Sequence, residues 1–176
     1  MLTLLAACVL SLPVADKAPK LTFTMSGGGS FTITTNPKAS PKTVEHIVKL
    51  VKSGFYDRQR VHRVEPWVTQ WGAPASRDQP MDIVGSDGKT VQNPAVGDGG
   101  SGHQLPFEMS DIDFTRGTVG VASTGLQVGG DSQLFILKKD TLRLYRSYAV
   151  VGTVTEGMDV VGRICRGDRI LRASVN

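Results

Sequence analysis

Only two stretches of this chain repeat their apolar residues with the 3.6-residue period of a helix. The other regular stretches alternate or run β-branched, and that imbalance constrains the fold more than any other feature. The first helical stretch is "SPKTVEHIVKLVKSG", where Val44, Ile47, Val48 and Val51 recur at i, i+3, i+4 and i+7. Ser40 suits the N-cap, Pro41 the first helical position and Gly54 the stop. The second is residues 156–166, "EGMDVVGRICR", with Val161 and Cys165 on one face, Val160 and Ile164 beside them, and Gly167 as its end. On that face Cys165 is expected to be a small buried apolar residue.

Around these helices lie β-type segments. "LTFTM" and "FTITT" flank "SGGGS", a hairpin signal. Residues 61–71 read as strand with a break at Pro66, and 117–123, 133–138 and Tyr148 to Val154 are apolar β-type runs. Residues 75–105, with "GSDGK" and "QNPAVGDGGSG", read as a long surface loop. Twenty glycines and nine prolines in 176 residues agree with a turn-rich chain. The order of strands, helix, many strands, helix and strand argues against a parallel βαβ sheet. An antiparallel barrel or sandwich with two packed helices fits. We read one domain, 19–176.

Residues 1–18 form a separate N-terminal segment, uncharged until Asp16. It is too short an apolar run to span a bilayer and resembles the apolar region of a secretory signal. "LLAAC" resembles a lipobox, in which Cys8 would carry a lipid anchor. Export to the periplasm, the cell envelope or the medium is the expectation, and a cytoplasmic chain is the alternative.

Other motifs exclude more than they suggest. The net charge of +4 is scattered, which fits a solvated surface rather than a nucleic-acid partner. Two cysteines make no disulfide framework, and His46, His62 and His103 lack ligand spacing, so no metal is expected. "GDGGSG" at Gly97 to Gly102 fits a dinucleotide fingerprint only literally, because it does not join a strand to a helix. "VASTG" around Ser123 lacks the leading glycine of a nucleophile elbow. Asp111 and Asp113 lie in a turn-like "MSDIDF" and suit capping or surface roles.

"VHRVEPWVTQ" carries the sharpest signal. Alternation sets Val61, Arg63 and Glu65 on one face, with His62, read as a satisfied core histidine, and Val64 on the other. In "DSQLFILKK", Gln133 and Phe135 likewise share a face. "FYD", "HRV", the proline, the glutamine, "RGTVGVA", "SQLFI", "VVG" and "EGMDVV" follow one another in the order and spacing of a cyclophilin. From residue 21 to 168 the chain resembles a peptidyl-prolyl cis-trans isomerase of bacterial type.

The resemblance implies a mainly β fold, a closed eight-stranded antiparallel barrel capped by two α-helices, with an active groove on its outer face. It implies that Arg63 is catalytic and that Gln70 and Phe135 line the groove. It assigns substrate contacts to Trp67, Val68, Ala122, Ser123, Gln133, Leu134 and Tyr148 as well. Departures are visible: Trp67 replaces a pocket phenylalanine, Ser123 an asparagine, Leu134 an aromatic residue and Trp71 a glycine. A tryptophan usual in the family has no counterpart in "TLRLYRSY", which weakens any expectation of cyclosporin binding. The implied partners are proline-containing peptides and unfolded segments, met by a monomer. No cofactor is implied, because rotation about an X-Pro bond breaks no bond. A proline-peptide-binding module with little turnover is the alternative. On the isomerase reading Glu65 should point away from Arg63 or only flank it.

Overall fold

The computed structural model describes residues 18–176. The lipobox-like segment and Cys8 lie outside the described residues. Ten strands and two helices follow in order: β1 Lys20–Met25, β2 Ser30–Thr35, α1 Pro41–Lys52, β3 Arg63–Val64, β4 Val68–Trp71, β5 Asp82–Val84, β6 Thr90–Gln92, β7 Thr118–Val121, β8 Leu134–Leu137, β9 Val150–Glu156, α2 Met158–Arg163 and β10 Ile170–Val175. Eight strands make one antiparallel sheet in the order β10-β1-β2-β9-β7-β8-β4-β3, while β5 and β6 form a separate ribbon.

The sheet curls around a single interior. Alternation sends Leu21, Phe23, Phe31, Ile33, Trp71, Leu134 and Ile136 inward, all at most 1% exposed. The indole of Trp71 meets Phe23 and Phe31 edge-on at 5.4 and 5.8 Å. Trp71, which the resemblance sets in place of a glycine, therefore fills the centre of the core. Helix α1 buries Val44, Ile47 and Val51 against the sheet. Ser40 does not cap it by side chain: its hydroxyl donates to the Val150 carbonyl instead. The orphan amides go to a remote carboxylate, Glu108, which accepts from Lys42 N at 3.1 Å, and from Thr43 N and Thr43 Oγ1 at 2.7 Å each.

The structure departs from expectation in four places. The sheet is not closed by a continuous ladder. Strand β3 is two residues long, and four main-chain hydrogen bonds join the segment before it to the start of β10: Arg58 N to Ile170 O, Ile170 N to Gln59 O, Val61 N to Asp168 O and Gly167 N to Val61 O. Val61 accordingly turns inward, 1% exposed, and does not share the face of Arg63. The loop 75–105 contains the β5–β6 ribbon, whose six residues are all exposed, and a short 3-10 turn at Pro94–Gly97. Helix α2 stops at Arg163 because Ile164 is extended, at ψ 128°; Cys165 is exposed in the following turn, where its amide donates to the Asp168 carboxylate.

Candidate active site

Registry places the key residues in one row across the outer face of the sheet. Arg63 on β3 is opposite Gln70 on β4, Gln70 is opposite Phe135 on β8, and Phe135 is opposite Gly120 on β7. Period-two alternation puts Val68, Gln70 and Phe135 outside while Trp71 and Leu134 go inside.

Gly120 is what gives the ring of Phe135 its seat. A Cβ there would stand 2.5 Å from Phe135 Cζ, so only glycine leaves the space. Beneath and beside the ring, Phe114 stacks at 6.2 Å and Tyr148 meets it edge-on at 5.4 Å. Val68 and Leu144 complete an apolar floor. Above it opens a cavity of about 420 Å³, whose walls include Arg63, Trp67, Gln70, Ala122, Ser123 and Arg143. A second cavity of about 430 Å³ adjoins it, sharing Gln70, Ala122 and Ser123, and is bounded by residues 97–100 and 129–133.

A chain of amides aims the arginine. Arg63 Nη1 donates to Gln70 Oε1 at 3.3 Å, and Gln70 Nε2 donates to Gln133 Oε1 at 2.8 Å. Gln133 Nε2 in turn donates to the carbonyls of Gly97 and Gly99, each at 2.9 Å. Each link satisfies one donor with one acceptor, so the carbonyl of Gln70 is turned toward the cation. Glu65 stands 3.8 Å from Arg63 Nε with both side chains about half exposed, which is flanking contact rather than a clasp. The guanidinium lies over the Trp67 ring, 5.4 Å from its centroid.

His62, next to Arg63, is 3% exposed, but its Nδ1 has no partner among the described residues, so it is buried without being satisfied. Burial, then the charges of Arg63 and Arg166, push its pKa down to about 4. It therefore stays neutral at ordinary pH.

Of the residues expected to touch substrate, Trp67, Val68, Gln70, Ala122, Ser123, Phe135 and Tyr148 line the first cavity with Arg63. Gln133 faces the adjoining one. Leu134 does not belong: it is fully buried in the sheet interior, because it neighbours Phe135 on a strand and must face the opposite way. The Ser123 hydroxyl donates to Gly125 O at 2.7 Å, and no main-chain bond engages the Ser123 N–H or C=O among the described residues. Sequence reasoning missed Gly120, Leu126, Arg143 and Leu144. A glycine inside an apolar strand was a usable sign of close approach; Arg143 and Leu144 lie in a three-residue 3-10 turn and Leu126 in a turn, and none of the three carried a periodic signal.

A cationic donor beside an apolar-floored cavity on the outside of a β-sheet is a distinctive arrangement. The pattern of the cyclophilin type peptidyl-prolyl cis-trans isomerase/CLD family matches residues 20–174. The chain belongs to this family. A relative named probable peptidyl-prolyl cis-trans isomerase from Brucella abortus (strain 2308) is 35% identical over 161 residues, covering 84% of this chain and 78% of the relative. The fold is similar to that of cyclophilin AquaCyp293 from Hirschia baltica, at TM-score 0.66 and 21% identity, over 90% of this chain and 74% of that one. It is also similar to a Cryptosporidium parvum cyclophilin type peptidyl-prolyl cis-trans isomerase solved in the presence of the dipeptide Ala-Pro, at TM-score 0.68 and 15% identity, over 89% of this chain and 98% of that one. The present cyclophilin is a peptidyl-prolyl cis-trans isomerase.

Proposed function

We propose that this cyclophilin accelerates X-Pro rotation by donating a hydrogen bond from Arg63 to the prolyl nitrogen while the apolar cavity grips the ring. A planar imide resists rotation by about 18–20 kcal/mol. In the twisted state the nitrogen loses conjugation and gains a basic lone pair, so a fixed donor favours the twisted form over both planar ones. A guanidinium suits the task because it is always a donor and never an acceptor. Gln70, held by Gln133, keeps one edge of it in place.

Val68, Phe135 and Leu144 would hold the proline ring, and the free main-chain groups of Ser123 would hold the flanking peptide. Two adjoining cavities sharing Gln70, Ala122 and Ser123 suit an extended chain. The charge-assisted bond contributes about 1.5–3 kcal/mol, and positioning of the peptide in the groove supplies the remainder. The Ala-Pro dipeptide of the Cryptosporidium relative supports proline peptides and unfolded segments as the ligands of this chain.

The observation that carries this reading is the row Arg63–Gln70–Phe135 over an apolar floor, with the cation held by an amide rather than a carboxylate. It favours turnover over passive binding. The test is cis–trans exchange of an Ala-Pro peptide by NMR. Arg63→Ala should lower kcat/KM about 10- to 100-fold, as the loss of one such bond dictates; an unchanged rate would remove Arg63 from the mechanism. We also infer export, on the strength of the uncharged stretch before Asp16 and the lipobox-like Cys8. Mass spectrometry of the mature N-terminus tests it: cleavage before Cys8 with an added lipid is expected of an anchored chain, and an intact Met1 would refute it.

A further inference from the structure

The charge around the cavity is one-sided. Two of its wall residues, Arg63 and Arg143, are cations, and among the described residues no carboxylate lines it; Asp98 and Asp131 line the adjoining cavity instead. Arg63 is engaged by Gln70 and flanked by Glu65. Arg143 is not: among the described residues no ion pair includes it. Its guanidinium lies over the Trp67 ring, 5.2 Å from the centroid. Three residues on, Arg146 shows the contrast, since its Nε donates to Asp111 Oδ1 at 2.6 Å.

The mount of Arg143 is firm. It sits in the 3-10 turn Leu142–Leu144, where Tyr145 N donates to Leu142 O at 3.0 Å and Ser147 N to Leu144 O at 2.9 Å. Thr141 N ties the turn to Phe114 O at 2.8 Å, and Leu144 anchors it in the cavity floor. A guanidinium held over an indole without a carboxylate partner has N–H groups free to fork onto a carboxylate or phosphate.

We propose that Arg143 is a specificity-determining residue, selecting peptides that carry an anionic side chain, carboxylate or phosphorylated serine, beside the proline. This rests on the reading that the cavity takes the proline ring. With the ring seated, the neighbouring side chains of the peptide pass the Trp67–Arg143 rim, where an anion finds an unpaired cation and a lysine meets two like charges. Because the site is exposed, the preference is modest, about fivefold, and weakens with salt.

The test uses one Ala-Pro peptide frame with Glu, phosphoserine, Gln or Lys either before the alanine or after the proline. NMR gives both exchange rates and affinities. The wild type should favour Glu over Gln about fivefold at one of the two positions, phosphoserine at least as much, and disfavour Lys. Arg143→Lys should keep a reduced Glu-to-Gln ratio above one, Arg143→Gln should bring it to about one, and Arg143→Glu should invert the order of Glu and Lys. A preference for phosphoserine without one for Glu, lost in Arg143→Gln, would identify phosphate as the anion. Equal values for all four peptides in the wild type, or an anion preference that survives Arg143→Gln, would overturn the proposal. If no peptide exchanges faster than in buffer, the isomerisation reading fails, and the affinity ratios alone decide the role of Arg143.

Discussion

Replacing Gly120 with alanine adds one methyl group directly beneath the residue that floors the candidate proline site. The new Cβ would stand 2.5 Å from Phe135 Cζ and 2.8 Å from Cε1, whereas ordinary contact begins at 3.4 Å. The difference of 3.4 and 2.5 Å requires the ring to retreat by about 0.9 Å. Phe114 and Tyr148 block two directions, so the open cavity receives the displaced ring. Overpacking of this kind costs about 1–3 kcal/mol. A smaller gain of about 0.4–1 kcal/mol arises because alanine stiffens the unfolded chain. Urea unfolding should therefore show a net loss of about 1–2 kcal/mol. A displacement near 1 Å in a catalytic groove costs up to about 100-fold, so kcat/KM for Ala-Pro exchange should fall by one to two decades. Gly120→Ala combined with Phe135→Leu, which shortens the ring out of the clash, should recover stability relative to the single variant. Stability and kcat/KM both within error of the wild type would refute the claim that Gly120 seats Phe135.

Three further outcomes follow from other contacts. Glu108→Ala removes the carboxylate that accepts from the first amides of α1, and should lower stability by about 1–2 kcal/mol in urea unfolding. His62 has a folded pKa of about 4 against an ordinary 6.5. Below pH 6.5 the unfolded chain thus takes up a proton that the native chain refuses. That penalty is absent above pH 6.5, grows by about 1.4 kcal/mol per pH unit below it and reaches about 2 kcal/mol at pH 5. The stability of His62→Gln should fall less steeply over this window, and equal slopes would refute the assignment. Gln133→Ala cuts the link between Gln70 and the Gly97 and Gly99 carbonyls; it should lower kcat/KM in NMR exchange several-fold, short of the loss from Arg63→Ala.

Much of this site was readable because β-structure encodes faces by parity. The i, i+2 relation of Gln133 and Phe135 predicted a shared orientation, and helix α1 declared itself through its stripe of Val44, Ile47 and Val51. The same parity rule assigns Leu134 to the opposite face; expecting it in the groove came from matching positions to a family instead of following the strand. The ribbon β5–β6 escaped notice because it is exposed throughout, so burial imposed no alternation on it. Cys165 was misplaced since helical spacing continued past the point where the backbone at Ile164 becomes extended. The place of Arg143 over Trp67, and its want of a carboxylate partner among the described residues, depend on tertiary neighbours, which no local pattern reports.

The pairing of Leu21 with Val175 carries a consequence for biogenesis. The first strand of the sheet finds one of its two partners only in the last strand described. As the chain emerges from the ribosome, β1 and β2 can zip into a hairpin at once, but the far side of β1 keeps its amides and carbonyls unmet until β10 appears. A peptidyl-prolyl isomerase thus has a late step in its own assembly. Pairs so distant along the chain also make for slow closure. Ribosome stalling or truncation ahead of Ile170 would leave a β-edge ready to recruit another chain.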